Sequence, residues 1–210
     1  MTTRSAMHPA ETAAIAGGAA VLWGSWVAVT LQATVPRWEE RVFRRINDLP
    51  DSVWRVAWAP MQLGSVGGSL AVVTVVAAVA RDRRLTLAVL GASQAAWWTG
   101  KAVKALVARG RPAVLLPDVR LRDAARGLGY VSGHAAVAFA LASVLAPSVP
   151  RRWRPAAFAT AAVVGTSRVY AGAHLPIDVI GGAGLGVLAG TGGRWMLGLG
   201  GAGVPVARRH

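Results

Sequence analysis

Cysteine is absent from the 210 residues, which excludes disulfides and thiolate metal sites and leaves the redox compartment unreadable. Acidic residues are scarce: 9 Asp+Glu stand against 23 Lys+Arg, for a formal net charge of +14. Lysine is nearly missing too, since Lys101 and Lys104 are the only two and every other basic residue is arginine. Charged residues of both signs make up 15% of the chain, too little polar surface for a soluble domain of this length. What fills the space is apolar: 54% hydrophobic residues and a mean hydropathy of +0.44, in long charge-free runs rather than in stripes. This describes a polytopic membrane protein in one domain. In a soluble chain the charge would suggest a nucleic acid. Here the basic residues lie between apolar runs and no nucleic-acid motif occurs, so they read as loops facing anionic membrane lipids, with no nucleic-acid partner.

The expected fold is all-α, a membrane bundle of six transmembrane helices. A polar tail over 1–12 precedes a membrane domain over 13–200, and a basic tail over 201–210 closes the chain. Ala13 to Val35 carries no charge and exceeds a signal-peptide core, so it reads as an uncleaved first span. Arg37 to Ile46 is amphipathic, with Trp38, Val42 and Ile46 four residues apart and Phe43 beside them. It reads as an interfacial helix with its charges on the other side; a solvated loop helix is the plainer alternative. Val56 to Ala80 is the second span, kinked or closely packed at Pro60 and the glycines 64, 67 and 68. The third runs from Leu85 to Ala108, the fourth from Ser132 to Val149, the fifth from Pro155 to Tyr170, and the sixth from Leu175 to Gly193. In the sixth, Asp178, Gly182, Gly186 and Gly190 share one face, which predicts close helix contact and an inward carboxylate. Six spans place both termini on one side. The short Arg-dense loops at 81–84 and 151–154 make that side cytoplasmic. The loops at 36–55, 109–130 and 168–175 then face outward, at the extracytoplasmic side of a cell membrane.

That outer side collects Lys104, Arg111, Ser132, Gly133, His134, Arg168, His174 and Asp178. Each has a plain structural reading by itself: Lys104 and Arg111 can snorkel, and His174 can be a packed core histidine. The set does not, because charges near spans are costly and these all map to one side. Three cations without a carboxylate cluster suit a phosphate group, and Ser132-Gly133-His134 opening a span offers backbone amides and a positive helix end. The same cations would repel a divalent ion, so no metal and no cofactor is expected. His174 and Asp178 are four apart, which lets a carboxylate hold one ring nitrogen while the other attacks phosphorus. Lys104, Arg111, Arg168 and the Ser132 and Gly133 amides then stabilise the equatorial oxygens. His134 serves the leaving oxygen as acid and water as base, and the phosphohistidine is hydrolysed.

The ordered pattern Lys104-x6-Arg111-Pro112, Ser132-Gly133-His134 and Ser167-Arg168-x5-His174-x3-Asp178 resembles the three-part signature of the type 2 phosphatidic acid phosphatase superfamily. That superfamily also holds vanadium haloperoxidases and bacterial acid phosphatases. Val131 departs from it, standing where the family usually has proline before Ser-Gly-His. The resemblance implies an all-helical bundle, metal-independent hydrolysis of phosphate esters or pyrophosphates, and the roles above for these residues. It also implies a lipid phosphate substrate: a polyprenyl pyrophosphate, a phosphatidylglycerophosphate, a phosphatidic acid or a polyprenyl-phosphoryl sugar with a terminal phosphate. Transfer of the phosphoryl or head group to an alcohol, and a non-catalytic anion-binding membrane protein, are the competing readings. Oligomeric state is not written in the sequence.

Overall fold

The computed structural model describes residues 7–200, and among them all regular structure is helical. Residues 1–6 of the N-terminal tail and the tail over 201–210 lie outside the described residues. The main helices are α1 (Pro9–Thr30), α2 (Arg37–Asn47), α3 (Trp54–Met61), α4 (Val66–Ala80), α5 (Arg83–Val107), α6 (Pro112–Leu115), α7 (Gly133–Leu145), α8 (Arg154–Tyr170) and α9 (Pro176–Met196). Helix α1 begins four residues before the expected Ala13. The reason is local: Pro9 opens it, the His8 ring accepts from the Ala10 amide (3.2 Å), and Glu11 reaches back to the His8 amide (3.1 Å). Asp82 caps α5 by accepting from the amides of Arg84 and Leu85 (2.8 and 3.1 Å).

Helix α9 is the hub. It packs on α7, α1 and α5, and the main core fills the spaces among these with Val89, Ala96, Val131, Val137, Ala140 and Leu185. The α7–α9 contact is closest where glycine allows it. A Cβ on Gly182 would lie 2.5 Å from the Ser132 carbonyl oxygen, one on Gly190 2.6 Å from that of Ala140, and one on Gly186 would strike that of Ala136. These pairs advance four residues at a time on both helices, the spacing that lets two backbones touch along a seam. The same face of α9 carries Asp178, which is fully buried.

The six expected spans are met only in part. Among the described residues, α1 alone suffices by length and apolarity to cross a bilayer, and the bent pair Asp51–Gly64 and Val66–Ala80 adds a second if taken as one. The pair bends by 68°, at the Gln62–Ser65 break that follows Pro60. Helix α7 is apolar but short, at 13 residues, whereas α9 has the length but is rich in glycine and faces other helices.

Helix α2 differs from expectation in which face it buries. Trp38 and Val42 are exposed, whereas Glu39, Phe43 and Asn47 are wholly buried. The buried stripe is thus rotated one residue from the apolar one. The buried polar members are held by specific partners, without which their burial would be costly. Asn47 donates to the carbonyls of Arg120 (2.9 Å) and Tyr170 (3.0 Å) and accepts from the Arg120 amide (3.0 Å). Arg122 joins the same knot, donating to the carbonyls of Asn47, Tyr170 and Leu49 with its guanidinium over the Tyr170 ring. These contacts gather the loops after α2, α6 and α8 at one end of the bundle.

Candidate active site

Gly172 sets the position of His174. It has φ +74°, a left-handed conformation that closes α8, and a Cβ there would lie 2.5 Å from the Arg120 carbonyl. The turn lets the amides of Ala173 and His174 both donate to the Arg168 carbonyl (3.0 and 3.3 Å). Pro176 then opens α9, and Asp178, at the third helical position, accepts from the Leu175 amide (2.9 Å). The carboxylate is therefore locked as the cap of its own helix. Its Oδ2 lies 3.4 Å from His174 Nδ1.

His174 Nε2 turns the other way, to within 3.1 Å of the Arg111 guanidinium, which also donates to the Ala173 carbonyl (2.6 Å). Guanidinium can only donate, so Nε2 is the acceptor. With Nε2 accepting, the neutral ring carries its proton on Nδ1, which faces the Asp178 carboxylate at ion-pair distance without a formed hydrogen bond. Both neighbours select one tautomer, with a lone pair on Nε2. Burial, and then the charges of Lys104 and Arg111, push the imidazole pKa down to about 3 against the pull of Asp178, so the ring is neutral at pH 7.

Nε2 faces a cavity of about 690 Å³ lined by Trp97, Lys101, Lys104, Arg111, Arg126, Gly133, His134, Arg168 and His174 among others. The cations are partly engaged with the loop that roofs it. Lys104 donates to the carbonyls of Leu128 (3.1 Å) and Gly129 (2.8 Å), and Arg111 to that of Arg126 (3.0 Å). Arg168 pairs with Asp123 and touches the Met61 sulfur (3.2 Å). The Nε–H groups of Arg111 and Arg168 are buried without an acceptor. His134 has the Trp97 ring edge-on at 6.4 Å.

Of the eight residues singled out in the sequence, Lys104, Arg111, Gly133, His134, Arg168 and His174 line this one cavity. Asp178 stands behind His174, outside the lining. Ser132 corrects an expectation. Its amide donates to the Asp178 carbonyl (2.8 Å), so it is not a free anion donor, and its hydroxyl caps α7. The first-turn amides of Gly133 and His134 remain without an intrahelical acceptor. His134 and Asp178 do not converge with His174 on a common point, and among the described residues no group of three His, Asp or Glu is placed to hold a metal.

The sequence model of the PAP2 superfamily matches residues 84–198, more than half the chain and all three motifs. The chain belongs to the PAP2 superfamily. It is a phosphatase of that family, and the type 2 resemblance read from the motifs stands. Among solved structures, LpxE of Aquifex aeolicus is 27% identical, with 73% of this chain and 92% of that one covered at a TM-score of 0.67. A transmembrane PAP2-type phosphatidylglycerolphosphate phosphatase from Bacillus subtilis is 21% identical, with 86% and 94% covered at a TM-score of 0.74, and shares the fold. No curated protein sequence matches the chain. Sequence reasoning missed two residues beside the site. Arg109 and Glu39 form a buried ion pair (2.7 Å), and Arg109 also bonds Asp178 (2.8 Å). Arg109 was legible only as one more basic residue beside Arg111, and Glu39 as one more charge on an amphipathic helix.

Proposed function

We propose that this PAP2 protein is a multi-pass membrane phosphatase that hydrolyses lipid phosphates or pyrophosphates through a phosphohistidine, without a metal, at the extracytoplasmic face. One observation carries the reading: His174 presents Nε2 to a cavity shared with Lys104, Arg111 and Arg168, while its Nδ1 faces the buried Asp178. As the Arg111 guanidinium turns from Nε2 to the phosphate oxygens, the freed Nε2 lone pair bonds to phosphorus and the bond from phosphorus to the lipid oxygen breaks. The negative head group entering among these cations lets His134 take up a proton, which it gives to that oxygen; it then accepts one from the water that cleaves the phosphorus–nitrogen bond. Lys104, Arg111, Arg168 and the Gly133 amide hold the three equatorial oxygens.

A lipid substrate fits the surroundings. Large apolar side chains stand outward on several helices, with Val79 79% and Leu106 84% exposed, as a hydrocarbon solvent permits. Leu106 and Trp98 are on α5, which also walls the cavity, so an acyl or prenyl tail can lie along α5 while the head group enters. Exposed Trp38 and Val42 give α2 an apolar outer edge suited to the interface. The neighbour from Bacillus subtilis is described as acting on phosphatidylglycerolphosphate. That makes a phospholipid monophosphate one arm of the substrate panel, and a polyprenyl pyrophosphate the other. Purified protein assayed for phosphate release across that panel is expected to turn over at least one lipid phosphate with a chelator present. His174→Ala is expected to reduce this to background. A His174→Ala protein with normal turnover, or activity that needs added metal, would overturn the mechanism.

A further inference from the structure

Glu39, Arg109, Asp178 and His174 form one buried chain of charge. Arg109 donates to Glu39 through both terminal nitrogens (2.7 and 3.2 Å) and to Asp178 Oδ1 (2.8 Å). Glu39 Oε1 also accepts from the Ile177 amide (2.9 Å), one residue before Asp178. Both carboxylates are completely buried, and the Arg109 side chain is 10% exposed. Neither Glu39 nor Arg109 lines the cavity that His174 faces; Arg109 borders a separate one of about 340 Å³. Burial opposes the charge on Arg109, but the hydrogen bond to Glu39 and the charges of Asp178 and Glu39 outweigh it, so its pKa is raised and it stays protonated.

The count of charges decides what the chain can do. Arg109 and Asp178 alone would neutralise each other, and the carboxylate would have little left for an imidazolium. Two carboxylates around one guanidinium leave a net charge of −1 behind a neutral His174. When Nε2 bonds to phosphorus, Nδ1 keeps its proton and the ring becomes cationic. The ring's +1 then meets the buried −1 on the Asp178 side, while the negative phosphoryl oxygens lie on the cavity side with Lys104, Arg111 and Arg168. The side chains of Glu39, Arg109, Asp178 and His174, the phosphoryl group apart, reach neutrality only when the ring is cationic. A buried charge matched more closely in the intermediate than before it favours reaction over resting enzyme.

We infer that Glu39 is a positioning residue whose carboxylate offsets Arg109, so that Arg109 can fix Asp178 without cancelling the charge that stabilises phosphorylated His174. This rests on the reading of His174 as nucleophile. The test begins with His174→Ala and Asp178→Asn. If those retain turnover the nucleophile reading is wrong; if they lose it, the Glu39 variants test this inference separately.

Glu39→Gln is isosteric and keeps an acceptor for the Ile177 amide, but makes the chain neutral at rest. It is expected to lower kcat by about 10- to 100-fold, with KM and vanadate affinity unchanged and less phosphohistidine trapped by acid quench. Glu39→Gln with Arg109→Gln restores the net −1 and is expected to raise kcat at least about threefold above Glu39→Gln, short of wild type because Arg109 no longer fixes Asp178. A role in packing alone predicts the reverse, because two buried contacts would be lost instead of one. Wild-type kcat in Glu39→Gln, or a double variant no better than the single, would overturn the inference. Thermal unfolding in detergent checks that each variant folds. Should the single variant not fold, the double variant decides: kcat clearly above that of Asp178→Asn supports the charge balance, and a loss as complete as that of Asp178→Asn defeats it.

Discussion

At Arg168 a carboxylate already sits on a cation assigned to phosphate. Asp123 comes from the loop that roofs the cavity, pairs with the Arg168 guanidinium and is about one-third exposed. A bound phosphate would have to displace it, and the exchange of one anion for another costs affinity. Asp123→Asn is therefore expected to tighten vanadate inhibition and lower KM by roughly 3- to 10-fold, with kcat little changed. Titration of vanadate against the two proteins reads this directly. His174 offers a second check. A pKa near 3 keeps the ring neutral above that value and charged only below it, so it is not the group that titrates near pH 6.5. Its ring 15N shifts are expected to keep the Nδ1–H neutral pattern from pH 8 down to pH 5; a midpoint near 6.5 would refute the buried, cation-flanked setting. The pairing of His174 with Asp178 is legible in sequence because a four-residue step across a helix start is local geometry. Glu39 and Arg109 are not, because their contact joins residues 70 apart and a Glu on an amphipathic helix reads as solvated. The Ser132 amide was misjudged for the same reason: its acceptor is supplied by another helix.

Among the helices, the seam between α7 and α9 connects the fold to the site. The four-residue glycine register of α9 is visible in the sequence and predicts a close contact, but not which helix answers it. The answer is α7, whose first residues carry Gly133 and His134, so the fit of Gly182 against the Ser132 carbonyl sets the height of the anion-binding turn. Gly182→Ala would force a methyl group against that carbonyl. It is expected to cost about 1–3 kcal/mol of stability and to lower kcat, because the helices must separate at the site. Gly192→Ala on the same helix meets nothing within 4 Å and is expected to leave both unchanged, or slightly raise the stability. Thermal unfolding and turnover of the two variants in one detergent compare them. The bend after Pro60 was legible as a kink, but its service to the site was not. A Cβ on Gly64 would lie 2.6 Å from the His134 carbonyl, so the broken pair buttresses α7 from the side away from α9.

For the molecule as a whole, the proposed orientation follows from where the ends of α5 and α7 lie. Arg83 and Lys104 are the two ends of one helix, roughly 30 Å apart at 1.5 Å per residue, about the thickness of a hydrocarbon core. The cavity is at the Lys104 end, with Ala124 in its lining. The connection from α7 to α8 leaves from the opposite end of α7, with Val149 exposed within it. Charge by itself decides the sidedness poorly, because arginines crowd both ends; those at the cavity end are there for an anion and for the loop knot around Asn47 and Tyr170. The absence of cysteine supplies a cleaner measurement, since any introduced thiol is the only one in the chain. Ala124→Cys is expected to react with a membrane-impermeant maleimide in intact cells, and Val149→Cys only after the membrane is opened. Labelling in the reverse pattern would move the phosphate chemistry to the cytoplasmic side. Labelling of both thiols from outside would show that the bundle does not separate its two ends across a bilayer at all, and with that the multi-pass arrangement would fall.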